Sequence, residues 1–155
     1  MISVHNQQTV ISIDQRQLKL SAQKILKALK LSRFDLSILL TDDQTMRDYN
    51  RTYRHQDKPT DILSFPYHPD LKPGQKIVVL IPEDRNLGDL ILAPNYIVQD
   101  LARWEQDFTT RLQVLLVHGI CHLLGYDHIA DQDYEIMRQE EARLLAYLGC
   151  QNANQ

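Results

Sequence analysis

The sequence predicts an α+β fold: a single domain in which a small mixed β-sheet of about four strands packs against about five helices. Two features of the chain support this prediction. Short apolar segments alternate with longer segments whose apolar residues recur at helical spacing. In addition, 155 residues without a repeat or a low-complexity linker fit one hydrophobic core. We therefore expect residues 1–150 to form one domain and residues 151–155 to be a disordered tail.

The predicted elements follow in chain order. Apolar patterns predict strands at residues 2–10, 34–40, 61–67 and 87–92. Helical spacing predicts helices at residues 14–31, 41–58, 94–106, 109–124 and 131–148. Thr41 is the expected N-cap of the second helix, with Gln44 completing a capping box, and Pro59 must end that helix. The inward face of the last helix is predicted to consist of Ile136, Met137, Ala142, Leu144, Leu145 and Leu148.

The segment 69–85 is rich in proline and charge around the apolar residues 77–81. We expect it to be a long surface excursion, with 77–81 as a candidate edge strand.

The composition excludes several classes of protein. Hydrophobic residues make up 43% of the chain and charged residues 24%, which is typical of a globular protein. The net charge of −3 provides no global positive excess for a polyanion. The apolar stretches are too short to span a bilayer, the first residues do not resemble a signal peptide, and two cysteines suggest no disulfide framework. We expect a cytoplasmic protein without membrane contacts.

One local stripe of positive charge could bind phosphate. It lies at spacings i, i+4, i+7 and i+11 on the second predicted helix and consists of Arg47, Arg51, Arg54 and Lys58. Lys58 is the least secure member because Pro59 follows it. An ordinary solvated helix face explains the same pattern, and the stripe alone favours that simpler interpretation.

Three histidines lie within eleven residues, in the run His-Gly-Ile-Cys-His-Leu-Leu-Gly-Tyr-Asp-His. His118 and His122 are one helical turn apart and leave the same face. Gly125 can end the helix in a left-handed conformation, so that the chain turns back and brings His128 to the same point. Three imidazoles with a vacant fourth position are typical of a catalytic zinc site on a zincin-like helix. We expect one Zn²⁺ per chain; copper, nickel or iron would also suit imidazole ligands, and a polar core network is the non-metal alternative.

The residue after the first histidine bears on the reaction. The His-x3-His-x5-His spacing also matches metzincin-type peptidases, in which a glutamate at that position acts as the general base. Here the position is Gly119, so a metallopeptidase is the less favoured alternative, and we expect the glycine to open space beside the metal. Asp127 is a candidate base or a hydrogen-bond partner of a ligating imidazole; the alternative is a turn residue that bonds to local backbone.

Three blocks of sequence resemble the YbeY family of bacterial zinc-dependent endoribonucleases. They are the histidine run, the segment from Asn50-Arg51-Thr52-Tyr53-Arg54 through Asp57 to Pro66, and Leu87-Gly88-Asp89-Leu90. The resemblance implies a metal held by His118, His122 and His128 and a functional arginine at Arg54. It also implies a cytoplasmic enzyme that cuts single-stranded RNA, processes the 3′ end of small-subunit rRNA and takes part in ribosome quality control.

The chemistry of these residues is compatible with the resemblance. Phosphodiester cleavage develops negative charge that a metal and a guanidinium can share, and Arg54 can offer two parallel N–H groups to a phosphate. Further candidates for substrate contact are Arg51, Lys58 and Ser64. The default expectation for Ser64 is that it caps or cross-links the strand through backbone hydrogen bonds. The expected partners are single-stranded RNA and the small ribosomal subunit or its associated proteins, not DNA. A non-catalytic, zinc-stabilised ribosome-associated module is a further alternative.

Overall fold

A computed structural model describes residues 1–149; the predicted tail lies outside the described residues. Four strands and five helices follow one another in the order β1 (Ile2–Asn6), α1 (Gln15–Ala28), β2 (Asp35–Leu40), α2 (Asp43–Arg54), β3 (Ile62–Pro66), β4 (Asn86–Leu92), α3 (Pro94–Gln99), α4 (Phe108–Leu123) and α5 (Asp131–Tyr147). This arrangement confirms the predicted α+β class. In the described part of the chain, every helix is too short or too polar to serve as a transmembrane span.

The four strands form one mixed sheet in the order β1-β2-β4-β3. β1 is parallel to β2, and β2 is parallel to β4. β3 is antiparallel to β4, with Ser64 opposite Leu90, and forms one edge of the sheet. This edge strand is the part of the sheet that borders the candidate site.

The two faces of the sheet are covered differently because strand residues alternate between them. The main core joins α1, α4 and α5 to one face and includes Leu36, Ile38, Leu90 and Leu92. On the other face, Met46 of α2 packs with Leu63, Ile91 and Ala93 in a smaller cluster. The metal-site helix α4 and the arginine-bearing helix α2 therefore lie on opposite faces, with β3 at the edge between them.

Aspartate N-caps begin three of the helices. The side chains of Asp14, Asp42 and Asp107 accept hydrogen bonds from backbone N–H groups in the first turns of α1, α2 and α4. The predicted N-cap Thr41 is wrong: Asp42 caps α2 at 2.7 Å from the Thr45 nitrogen. Thr41 is instead buried at the end of β2, where its N–H donates to the Leu92 carbonyl.

Several predicted boundaries differ from the structure. α2 ends at Arg54, earlier than expected, because His55 adopts a left-handed conformation with φ 58°. Lys58 is therefore not on the helix, and the predicted four-residue stripe does not exist as such. α3 ends at Gln99 and is followed by a 3₁₀ turn (Leu101–Arg103); the positive φ of Glu105 excludes a continuous helix to residue 106.

Two predictions about exposed surfaces are also wrong. Residues 77–81 do not form a strand, since the N–H groups of Leu80 and Ile81 donate to the Asp84 carboxylate instead of a neighbouring strand. On α5, Ile136 and Ala142 are exposed. The buried face contains Glu141, together with Met137, Leu144 and Leu145.

Candidate metal centre

The three predicted histidines converge. Their ring centroids lie 4.5, 5.1 and 5.5 Å apart, and one nitrogen of each ring lies within 4.8 Å of the others. His118 and His122 project from α4, and the chain returns through Gly125, whose φ is 92°. A Cβ at Gly125 would lie 2.0 Å from the Leu71 carbonyl oxygen, so this turn requires glycine on two grounds.

Hydrogen bonds at Nδ1 fix the orientation of the two rings that α4 carries. Nδ1 of His118 lies 2.9 Å from a carboxylate oxygen of Glu141, and Nδ1 of His122 lies 3.0 Å from the Tyr126 carbonyl oxygen. Both oxygens accept hydrogen bonds, so each Nδ1 carries the proton and each Nε2 presents a lone pair. This pairing fixes the tautomer that metal coordination through Nε2 requires.

The two Nε2 atoms face each other at 3.1 Å. With both Nδ1 atoms protonated, a hydrogen bond between the two Nε2 atoms would require one ring to carry a second proton. Burial lowers the pKa of His122 to about 4, and the nearby rings of His118 and His128 add to the effect. Near neutral pH the His122 ring is therefore neutral, and its Nε2 lone pair points into the space between the three imidazoles, where a cation would be coordinated. The residues present fit a bound metal ion.

His128 and Asp127 lie on the turn after α4. The Oδ1 atom of Asp127 accepts hydrogen bonds from the N–H groups of His128 and Ile129, at 2.6 and 3.2 Å. The same oxygen is 3.9 Å from Nδ1 of His128. The contacts favour the interpretation of Asp127 as a turn residue that holds the third imidazole in place.

Arg54 reaches the same cleft from the other side of the sheet. Its guanidinium donates to the Ser64 carbonyl oxygen at 2.7 Å and to the Tyr53 carbonyl oxygen at 3.3 Å, and it lies 4.9 Å from the Phe65 ring centroid. Among the described residues, no carboxylate pairs with Arg54 within 4.0 Å. A positive charge at the edge of β3 is therefore available to an anion.

One cleft joins these groups. It has a volume of about 410 Å³ and is lined by Arg54, the three histidines and residues of β3, including Ser64.

The other basic candidates lie elsewhere. Arg51 contacts Asp48 at 3.0 Å and Asp57 at 3.8 Å, and the exposed Lys58 does not line the cleft. Arg47 pairs with Asp57 at 2.8 Å. The structure thus brings together four of the predicted residues and Ser64.

Comparison with known proteins identifies the family. The family model described as endoribonuclease YbeY matches residues 3–149. The chain belongs to the YbeY family. A human relative named endoribonuclease YbeY is 36% identical over 146 residues, which cover 94% of this chain and 87% of the relative. The relative of the same name from Caldicellulosiruptor bescii is 31% identical over 154 residues, covering 96% and 97% of the two chains.

A solved structure shares the fold of this YbeY-family chain. The solution structure of TM1509 from Thermotoga maritima superposes with a TM-score of 0.59 at 21% identity, covering 100% of this chain and 96% of that one. At this level of identity, the similarity supports the fold alone.

Gly119 has a different role from the one expected. A Cβ there would lie 2.7 Å from Cδ1 of Ile62 and 2.8 Å from Cδ2 of Leu90. The glycine does not open space beside the metal centre; that space is filled by side chains of β3 and β4. It allows α4 to pack closely on the sheet, and the glutamate of a metzincin-type peptidase would fit there only if the Ile62 and Leu90 side chains moved aside.

The sequence-based interpretation missed Glu141. This residue is only 6% exposed and lies 23 positions after the histidine that it contacts. A signal was present, because Glu141 falls four residues after Met137 and three before Leu144, inside an apolar stripe. A carboxylate in the buried face of a helix needs a partner, which here is an imidazole.

Proposed function

We propose that this chain is a zinc-dependent endoribonuclease that cuts single-stranded RNA at the cleft between Arg54 and the three histidines. The observation that carries the proposal is the placement of a guanidinium, which has no acidic partner among residues 1–149, in one cleft with three converging imidazoles. Three imidazole donors and no fourth protein ligand in the described cluster are typical of catalytic zinc, so one Zn²⁺ per chain is proposed.

The chain's own residues position the substrate and the ion. Arg54 carries five N–H donors, of which the Tyr53 and Ser64 carbonyl oxygens occupy part, leaving the exposed side of the guanidinium for phosphate oxygens. Glu141 and the Tyr126 carbonyl oxygen hold two imidazoles with their lone pairs directed at the ion. When bound, the zinc supplies Lewis acidity to the developing negative charge.

The neighbouring candidates receive narrower roles in this proposal. Ser64 fixes Arg54 through its backbone carbonyl and lines the cleft, so it remains a candidate for substrate contact. Asp127 positions His128. Arg51 is engaged by two aspartates, and Lys58 lies on the loop after α2, so neither is assigned to the scissile phosphate.

The biological setting follows from the family. The resemblance supports ribosomal RNA as the substrate, with maturation of the small-subunit 3′ end and ribosome quality control as the process. It also supports a cytoplasmic location and contact with the small subunit or its associated proteins. A peptidase is not favoured, because Gly119 occupies the position at which a metzincin-type peptidase carries its general base.

Cleavage of single-stranded RNA by the zinc-loaded protein and its arginine variants tests this proposal. Arg54→Ala is expected to reduce kcat/KM by about 10²- to 10³-fold while zinc content stays near one ion per chain. Arg54→Lys should recover only part of the activity, because lysine lacks the planar fork. Arg47→Ala is the matched control, since Arg47 lies on the same helix but pairs with Asp57. Full activity of Arg54→Ala would remove this residue from the mechanism.

End-group analysis of the RNA products identifies the nucleophile. Attack by water leaves a 5′-phosphate and a 3′-hydroxyl, whereas attack by the RNA 2′-hydroxyl leaves a cyclic phosphate. Absence of RNA cleavage by zinc-loaded wild type, with peptides cut instead, would replace the proposal by the peptidase alternative.

A further inference from the structure

A second pocket adjoins the metal centre on the side away from Arg54. Its volume is about 290 Å³, and its walls include Asp61, Ile62, Trp104, Arg111, Tyr134 and Met137. This volume is at the small end of ligand pockets, which begin at about 300 Å³. The pocket therefore suits one flat ring system rather than an extended chain.

The second pocket borders the Arg54 cleft. His118, His128, Asp61 and Ile62 line both cavities. A single strand whose phosphate lies at the histidine cluster is therefore within reach of both cavities.

The charges of the second pocket are paired, unlike that of Arg54. Arg111, whose side chain is 7% exposed, lies 3.6 Å from Asp61, and Arg138 lies 3.0 Å from Glu135. Glu141 is bound to His118. The pocket thus offers little net attraction for a phosphate, while N–H groups and carboxylate oxygens remain near the wall for a neutral polar ring.

Aromatic surface completes the site. The Arg111 guanidinium carbon lies 3.7 Å from the Trp104 ring centroid, and the Trp104 N–H donates to Asp100 at 3.1 Å. Tyr134, which is 46% exposed, contributes a second aromatic ring from the first turn of α5. Nucleobases in single-stranded RNA are bound by stacking on aromatic rings and guanidinium planes.

We propose that the second pocket binds one nucleobase of the RNA, that of the nucleotide adjacent to the scissile phosphate, against the Trp104–Arg111 pair and Tyr134. This inference rests on the proposed endoribonuclease function and adds a positioning site to it. The base anchors the strand, so that the adjoining phosphodiester is held between the histidine cluster and Arg54.

A scan with abasic nucleotides tests the proposal. The cleavage site of a single-stranded oligoribonucleotide is mapped first, and one abasic nucleotide is then moved across it position by position. For zinc-loaded wild type, one position next to the cut should show a loss of about tenfold in kcat/KM, the scale of one base-stacking contact. In Tyr134→Ala, the penalty at that position should shrink to about threefold or less.

Tyr147→Ala is the matched control. Tyr147 is another exposed tyrosine of α5, 58% exposed and thirteen residues further along, roughly 20 Å away at 1.5 Å per residue. This variant should show the wild-type penalty. Equal penalties in wild type and Tyr134→Ala, or no position-specific penalty, would overturn the pocket assignment while leaving RNA cleavage intact. No cleavage of intact RNA by wild type would overturn the endoribonuclease function, and the pocket assignment with it.

The fluorescence of Trp104 gives a second readout that needs no variant and no turnover. Trp104 is the chain's one tryptophan, so its emission reports on this pocket. Rapid mixing of the zinc-loaded protein with the intact oligoribonucleotide should quench the emission before cleavage, and the oligonucleotide that is abasic at the mapped position should quench it much less. Equal quenching by both would contradict base binding in the pocket.

Discussion

His118 and His122 are carried by a helix that packs in the protein core, whereas His128 is carried by a surface turn. We call His118 and His122 the helix half of the metal centre and His128 the loop half. The helix half projects from α4, and its rings are fixed by Glu141 and the Tyr126 carbonyl oxygen. The loop half depends on hydrogen bonds of Asp127 to backbone N–H groups, and its side chain is 47% exposed.

The difference indicates how the centre is assembled. The two Nε2 atoms of the helix half lie 3.1 Å apart, and hydrogen bonds within the folded domain fix both rings, so much of the ordering cost is met when the domain folds. The loop half contributes the third donor through exposed contacts, which are individually weak. Loss of one residue should therefore have different consequences in the two halves.

Removal of one imidazole from each half is the strongest test of this difference. Zinc-finger binding energies of about 10–16 kcal/mol over four ligands give roughly 3 kcal/mol, or about 10²-fold in affinity, for one ligand. His128→Ala should lose about that much zinc affinity, because His118 and His122 remain in position. His122→Ala should lose more, so that zinc content falls from one ion per chain toward zero and RNA cleavage disappears.

Zinc titration by calorimetry measures both effects. His5→Ala is the control, because His5 is an exposed histidine on β1 outside the cluster. Equal losses for His122→Ala and His128→Ala would show that the two halves contribute alike.

Glu141 is expected to have the next largest effect. Glu141→Ala should weaken zinc binding by about 10- to 100-fold, because the His118 ring loses the acceptor that fixes its tautomer and orientation. Glu141→Gln should lose less, since its amide oxygen can still accept from Nδ1. Glu140→Ala is a neighbouring control whose carboxylate pairs with Arg143 instead. Unchanged zinc affinity in Glu141→Ala would mean that α4 alone orients the helix half.

The helix half could be predicted from sequence because its geometry is local. A separation of four residues places two imidazoles on one helix face, and Gly125 provides the turn that returns His128. The strand beside the cleft was predicted as a short apolar segment, residues 61–67, that ends near Pro66. Each of these inferences uses the period of a single element or the conformation of a single residue.

What could not be predicted depends on contacts between distant segments. Glu141 reaches His118 from a separate helix. Asp57 pairs with Arg47 and lies near Arg51, so that Arg54 is the arginine of this helix face that has no carboxylate partner among the described residues. The end of α2 at Arg54 depends on a left-handed His55, which no glycine signals. Local patterns carry no information about such pairings.

Gly119 tests whether the helix half depends on close packing of α4 against the sheet. In Gly119→Ala, the added Cβ meets Ile62 and the fully buried Leu90, and overpacking of this kind costs about 1–3 kcal/mol. The better helix propensity of alanine offsets up to about 1 kcal/mol. A net loss of about 1–2 kcal/mol corresponds to a Tm lower by a few degrees, at about 2–4 °C per kcal/mol. An unchanged or higher Tm would show that Ile62 and Leu90 accommodate the added Cβ with no loss of stability.

Asp127 should give the smallest effect and separates two roles. Asp127→Ala removes the acceptor for the N–H groups of His128 and Ile129, a loss of about 1 kcal/mol that should weaken zinc binding a few-fold. Asp127→Asn keeps an oxygen acceptor in the same place, so a residue that only holds the loop half should show near-normal zinc affinity and kcat.

A general base would give a different pattern, because an amide cannot take up the proton. Asp127→Asn would then lower kcat by about 10²-fold or more, with zinc content and KM unchanged. Measured side by side, zinc affinity and kcat of the Ala and Asn variants therefore decide between the two roles. The hydrogen bonds of Oδ1 to two backbone amides lead us to expect the first pattern, in which the turn serves the imidazole and the carboxylate charge itself is dispensable.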